Sequence, residues 1–297
     1  MGYFEGYYFK CDGKTDSVAF IFGKQSEKGG KSSFIQILTK DCSFYQEFKN
    51  GAAFSKGRRN FDISIGENRV RHSGLSLNID NGDLRAKGEV CFGEFSPVKY
   101  DVMGFFKFFP FMECRHTVVS MLHPCNGQIE INGQIYNFDG GSCYIEGDRG
   151  KSFPQKYFWT QCNMFDGFSA PLSVFASCAR IPYLGNIFTG TVCVIQSDGR
   201  EFRIATYLGA EVKEFSKKRL FLVQGRGKRR LTLEIENLDP FENGRALSAP
   251  KNGGMSRTIH EKLYANVRYK FTIGTRVEFN FISNRAAFEY SDEILTT

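Results

Sequence analysis

The sequence predicts an all-β protein, and three observations carry that expectation. Apolar residues recur at every second position through most of the chain. Glycines and Asn-Gly or Asp-Gly pairs divide these runs. Aromatic residues are abundant, with 31 Phe and 13 Tyr among 297 residues. Alternation of this kind gives a strand one core face and one outer face. Aromatic side chains suit such half-buried pleated surfaces. Long stretches with the three-and-four spacing of an amphipathic helix are hard to find, so only a few short helices are expected.

The strands read in chain order. "DSVAFIFG" (16–23), "SFIQILTK" (33–40), "GLSLNID" (74–80) and "LRAKGEVCFGEF" (84–95) alternate and end at turn residues. "GQIEINGQIYNFDGG" (127–141) reads as a hairpin about Asn132-Gly133, the pair favoured in tight two-residue turns. Further candidates are 189–209, 230–238, 266–274 and 276–283. Two stretches echo each other. Residues 5–23 and 154–177 both run from an aromatic triplet through a polar turn into an apolar strand, and 81–90 resembles 198–212. A duplication gives two similar domains, 1–150 and 151–297, each of ordinary domain size.

Composition narrows the function. The net charge is +7, much of it in "KKRLFLVQGRGKRR" (217–230), which reads as a solvated basic hairpin. No nucleic-acid module accompanies it, so no nucleic-acid partner is expected. Nine cysteines without a CxxC pair suggest reduced, mostly buried thiols and a cytoplasmic location. The opening residues lack the apolar core of a signal peptide. No run approaches the roughly 18 apolar residues of a membrane helix, which leaves peripheral contact with a membrane surface open. GxxxxGK[ST], GxGxxG and GxSxG loops are absent, so nucleotide-driven and serine-hydrolase chemistry find no support, and neither cofactor nor metal is expected.

Three segments hold candidate chemistry. In "GSCYIEGDRG" (141–150), Tyr144, Glu146 and Asp148 share one face if the segment is extended. Two neighbouring carboxylates in a dry site favour keeping one proton, which makes a general acid. Gly147 and Gly150 equally allow a surface turn with its acids in water. In "FMECRHTVVSMLHP" (111–124), His116 and His123 fall on opposite faces and cannot share a metal. Each reads either as a hydrogen-bonded core residue or as a ligand-facing donor. "GFFKFFPFM" (104–112) reads either as core or seam, or as a wall over an apolar ligand.

"YFEGYYFK" (3–10) resembles the opening motif of the tocopherol cyclase family. "GQIEINGQIYNF" followed by "YIEGDRGKSFPQKYFWTQCNMFDG" resembles that family's hairpin, Tyr-x-Glu, Phe-Pro and Gln-Cys-Asn succession, and 253–271 is a weaker match. The chain departs from the plant members at Asp148, Arg149 and Tyr157. The resemblance implies two lipocalin-like antiparallel β-barrels packed together, with an apolar cavity for a small prenylated or polyene ligand. It implies an intramolecular lyase or isomerase that protonates an alkene and lets a phenol oxygen capture the cation. Carotenoid hydratases of the same superfamily make alkene hydration an alternative, and a non-catalytic carrier is a third. The residues joined to this reading are Glu146, Asp148 and His116 as catalytic groups. Tyr8, Phe9, Tyr144, Arg149, Trp159 and Gln161 stand as substrate-binding groups, with the aromatic faces able to stabilise a cation. Oligomeric state is not readable.

Overall fold

The computed structural model describes residues 2–27, 30–49, 52–55, 61–110, 112–168 and 170–292. The chain forms two compact units, residues 1–98, 116–152 and 247–258 in the first and 99–115, 153–246 and 259–297 in the second. Segments 99–115 and 247–258 thus group across a line drawn at residue 150.

The first sheet holds β1 (Tyr3–Asp12), β2 (Ser17–Glu27), β3 (Gly30–Leu38), β4 (Ser43–Phe48), β5 (Ala52–Ser55) and β6 (Asp62–Ile65). It continues with β7 (Asn68–Arg71), β8 (Gly74–Asp80), β9 (Arg85–Phe92), β10 (Cys114–Ile131), β11 (Gln134–Asn137) and β12 (Gly141–Gly150). The second holds β13 (Lys156–Cys162), β14 (Leu172–Tyr183), β15 (Asn186–Ser197), β16 (Arg200–Ala205) and β17 (Ala210–Phe215). It is completed by β18 (Arg219–Gln224), β19 (Leu231–Asn237), β20 (Arg245–Lys251), β21 (Gly254–Ile273) and β22 (Arg276–Asp292). Helix among the described residues is limited to single 3-10 turns at Gly104–Phe108, Thr206–Leu208 and Gly227–Arg229.

Strand order runs β4-β3-β2-β1-β12-β10-β9-β8-β7-β6-β5 in one sheet and β16-β15-β14-β13-β22-β21-β19-β18-β17 in the other. The two paths repeat: β13–β16 follow β1–β4, β22 follows β12, and β21 follows β10. The echo of 5–23 in 154–177 falls on equivalent strands. The echo of 81–90 in 198–212 does not, because β9 corresponds to β19 while β16 corresponds to β4. That likeness is only the shared chemistry of a Gly turn leading into a strand.

Each sheet curls around its own core. Tyr7 of β1 meets Phe54 of terminal β5 at 6.3 Å between ring centroids, and Phe202 of terminal β16 meets Phe271 of β21 at 5.1 Å. Inward side chains of nearly every strand then fill each interior. Phe9, Phe20, Phe22, Ile35, Ile129 and Ile145 join the first core, and Phe158, Val174, Leu222, Ile235 and Phe271 the second. The protein is therefore two antiparallel β-barrels, each closed over a packed apolar centre.

Local turn chemistry agrees. Asn132 and Gly133 both have positive φ, 48° and 85°, as the tight hairpin joining β10 to β11 demands. Residues 225–230 are exposed, as expected of a solvated basic turn. The phenylalanine-rich segment is neither buried core nor strand. Phe106 stacks on Phe188 and Phe109 meets Tyr183, while Phe108 is 75 % exposed. Phe111 lies outside the described residues.

Candidate active site

Period-two geometry on β12 builds the site. Cys143 and Ile145 point into the first core, so Tyr144, Glu146 and Asp148 take the opposite face. Glycine does not break this strand: β12 pairs with β1 from Asp12↔Ser142 to Phe4↔Gly150 without interruption. Gly147 lies under the ring of Tyr7, where an added Cβ would sit 2.8 Å from ring carbons. The requirement for glycine here is close approach, and the acids are not on a solvated turn.

The acids also do not point into the barrel. An apolar barrel interior is the expected place for the proton donor, but alternation sends Glu146 and Asp148 to the face turned away from a core that side chains already fill. Glu146 is nonetheless 7 % exposed at its side chain and Asp148 20 %.

β10 brings His116 to this pair. Its Nδ1 lies 3.0 Å from Asp148 Oδ1, and its Nε2 lies 3.3 Å from Glu146 Oε2. Tyr144 donates its hydroxyl proton to Glu146 Oε2 at 2.6 Å. Four side chains from two strands thus form one line, Tyr144–Glu146–His116–Asp148, hydrogen-bonded at its two ends and joined in the middle by the charge contact between Nε2 and Glu146. Burial by itself lowers the His116 pKa, but Asp148 and then Glu146 more than offset it and hold the ring well above its ordinary value. The two carboxylates thus favour the imidazolium over the neutral ring. Burial, reinforced by the Glu146 charge, pushes the Tyr144 phenol well above its ordinary range and keeps it a donor.

β1 supplies the next row. Tyr8 faces Glu146 across the ladder and Lys10 faces Tyr144. Lys10 is fully buried and donates to both carboxylate oxygens of Asp12 at 2.8 Å, and Ser17 donates to Asp12 Oδ1 at 2.5 Å. Sequence reasoning missed Lys10 and Asp12. Their signal was present, since Tyr8, Lys10 and Asp12 alternate with the apolar Tyr7, Phe9 and Cys11. Phe9 is not beside the acids; it lies in the core, edge-on to Phe22 at 5.9 Å. Arg149 is exposed and opposite Glu5.

Trp159 and Gln161 belong to the second unit. Both are buried, on the face of β13 opposite Phe158 and Cys162. Trp159 faces Glu289 of β22, which accepts a hydrogen bond from Tyr157 at 2.8 Å, and Glu289 faces the fully buried Glu261 of β21. This second carboxylate pair had no distinctive spacing in sequence, because its members come from separate strands.

His123 is on the core side of β10, as opposite-face spacing requires. It sits 4.5 Å from the Phe95 ring, with Nδ1 2.9 Å from Ser120 Oγ. Burial, aided by His72, pushes its pKa down to about 3, so it stays neutral. His116, Glu146 and Asp148 offer ligand atoms within 4.8 Å of one another, close enough for a cation. Both ring nitrogens already face carboxylates, Nδ1 through a hydrogen bond and Nε2 through a charge contact, so a cation would have to displace the ring's own proton. A cleft of about 440 Å³ in the first unit is lined by Tyr3, Lys24, Lys31, Ser33 and Phe48 among others, and by none of the predicted site residues.

Fold and site together define a β protein of two lipocalin-like barrels that carries a buried acid–base cluster on one of them. The chain belongs to the tocopherol cyclase-like family, whose model matches residues 81–289. It is 27 % identical to the chloroplastic tocopherol cyclase of Zea mays over 179 residues, 59 % of this chain and 37 % of that one. It is 26 % identical to a chloroplastic tocopherol cyclase homologue of Oryza sativa subsp. japonica over 179 residues, 59 % of this chain and 38 % of that one. The chain spans a little over a third of the length of these relatives. Among solved structures it resembles CghA with Sch210972, with TM-score 0.59 at 9 % identity over 98 % of this chain and 89 % of that one. It also resembles kievitone hydratase from Nectria haematococca, with TM-score 0.52 at 11 % identity over the same shares. At these identities the likeness is one of fold. Among the described residues, no helix is long and apolar enough to cross a membrane.

Proposed function

We propose that the protein is a cyclase- or hydratase-type acid–base enzyme acting on a prenylated hydroquinone or similar isoprenoid. The observation that carries this reading is His116 set between Asp148 and Glu146, 3.0 Å and 3.3 Å away, whose charges favour its protonated form. Glu146 accepts from Tyr144 and faces His116, so it serves as the fixed counter-charge that orients the ring. Asp148 is the more open carboxyl and takes the proton-delivering role, with His116 as its proton store. Protonation of a trisubstituted alkene gives a tertiary cation. Capture by the phenol oxygen closes a ring, and the phenol proton returns to the Asp148–His116 pair, so the cyclisation is a net isomerisation. Capture by water instead gives the hydrated product, and exclusion of water decides between them. Tyr8 is the aromatic group closest in register to the acids and is the substrate-binding candidate beside them; Trp159 and Gln161 are candidates within the second unit taken by itself.

Incubation with a prenylhydroquinone, followed by product analysis for chroman and tertiary alcohol, tests the reading. Asp148→Asn is expected to lower turnover by about 100-fold or more, in the usual range of a lost general acid, while sparing binding. Saturable binding without conversion in the unaltered protein would instead favour the carrier reading, and full activity in Asp148→Asn would remove the assigned donor.

Exposed Phe105, Phe108, Leu184 and Ile187, with Lys107 over the Phe108 ring, favour peripheral contact with a membrane that holds such a substrate. Co-sedimentation with vesicles, lost on Phe108→Ser with Leu184→Ser, is the expected result. Nine free thiols suit a reducing compartment such as the cytoplasm, which fractionation of the native host checks.

A further inference from the structure

Three cysteines converge in the first core and take no part in the acid–base line. Cys11 of β1 and Cys143 of β12 are directly opposed in the antiparallel ladder, with both side chains turned inward. The Cys143 thiol lies 2.8 Å from the Cys11 sulfur. Directly opposed antiparallel residues have Cα atoms about 4.5–5.5 Å apart, within the roughly 4.4–6.8 Å that a disulfide spans. Cys125 of β10, the strand beyond β12, turns into the same core with these two sulfurs as neighbours, its thiol donating to the Phe138 carbonyl oxygen at 3.9 Å, and all three residues are fully buried. The six other cysteines differ: Cys42 and Cys91 are exposed, Cys114 is half-buried, and Cys162, Cys178 and Cys193 belong to the second unit.

We propose that Cys11, Cys125 and Cys143 form a redox centre, in which Cys11 and Cys143 close to a cross-strand disulfide and Cys125 passes oxidation to them. The oxidant is a small hydroperoxide, admitted by local opening of the barrel because all three sulfurs are fully buried. The Cys125 thiolate attacks the peroxide oxygen and becomes a sulfenic acid, releasing one water once the leaving hydroxide takes a proton. Cys11 then attacks the Cys125 sulfur, a second water leaves, and a Cys11–Cys125 disulfide forms. Cys143 attacks the Cys11 sulfur and Cys125 departs as thiolate. Two thiols and one peroxide thus give one disulfide and two waters, and a dithiol reductant reverses the change. The order of attack follows the proton affinities. The neighbouring Cys11 and Cys143 sulfurs hold Cys125 down to about 5, whereas burial raises Cys11 and Cys143 well above their ordinary value.

The bond would join β1 to β12 back-to-back with the site, since Lys10 and Tyr144 occupy the other face at the adjacent register pair. The proposal does not depend on the assigned reaction. It is tested on the intact protein, treated with hydrogen peroxide, denatured, alkylated and mapped by peptide mass. The expected map contains the Cys11 and Cys143 peptides joined, lighter by two hydrogens than the separate thiol peptides, and released by dithiothreitol. The bridged protein should also melt at a higher temperature until reduced. Recovery of Cys11 and Cys143 as alkylated thiols after Cys42 and Cys91 have been oxidised overturns the centre. Cys125→Ala should yield the same bridge several-fold more slowly, and an unchanged rate overturns the relay role. If that variant does not fold, the map of the unaltered protein still decides the bridge.

Discussion

His116 and His123 stand seven positions apart on one strand and experience opposite electrostatics. One is flanked by two carboxylates, and the other by the rings of Phe92 and Phe95. Nuclear magnetic resonance titration should therefore find His116 still protonated at neutral pH and His123 neutral down to about pH 3. The raised pKa of His116 makes folding proton-linked. Its contribution is fully present below the unfolded value near 6.5 and is lost as pH rises through the elevated folded value. Denaturant midpoints measured from pH 6 upward should fall in the native protein, and should fall less in His116→Phe. That variant strands Glu146 without its cation and is expected to cost about 3–5 kcal/mol of stability, as loss of one partner from a buried ion pair does. Much of this site was legible from the i, i+2, i+4 spacing of Tyr144, Glu146 and Asp148. His116 was named with them, but its place between the two carboxylates was not readable, because pairing between β10 and β12 is a tertiary matter. Lys10 was passed over for a related reason: a lysine normally signals solvent, and only the Asp12 and Ser17 contacts account for its complete burial.

At the scale of elements, β12 shows how local and long-range preferences compete. Its glycines suggest a turn, yet nine consecutive partners on β1 hold it extended. Gly147→Ala tests that account. The added methyl would press on the Tyr7 ring, and overpacking of this size costs about 1–3 kcal/mol. Thermal melts should register the loss, and turnover should fall with it, since Glu146 and Asp148 flank the altered position. Alternating strands such as β8 and β9 were readable almost to their ends. The short β5, β6 and β7, four residues each, were not. Segments so brief offer too few alternations to separate a strand from a loop.

The whole molecule repeats one path of strands twice, and each turn of the path encloses its own apolar core. Phe158 is fully buried in the second, edge-on to Phe288 at 5.0 Å. Phe158→Ala should therefore destabilise by about 3–5 kcal/mol, readable from urea unfolding, as large-to-small changes in packed cores do. Barrel architecture was foreseeable from alternation and from the aromatic echo between 5–23 and 154–177. The order of strands was not, because it rests on pairings between residues more than a hundred positions apart.

Those pairings bear on how the polypeptide matures on the ribosome. β1 closes on β12, and β13 closes on β22, so the first strand of each half waits for the last. The first half also draws in residues 247–258, which emerge only after most of the second has been translated. Tyr8 and Lys10 precede their β12 partners Glu146 and Tyr144 by well over a hundred residues and stay unpaired with them until those are made. Such non-local closure is slow, and during the delay the aromatic edges of the nascent chain are open to aggregation.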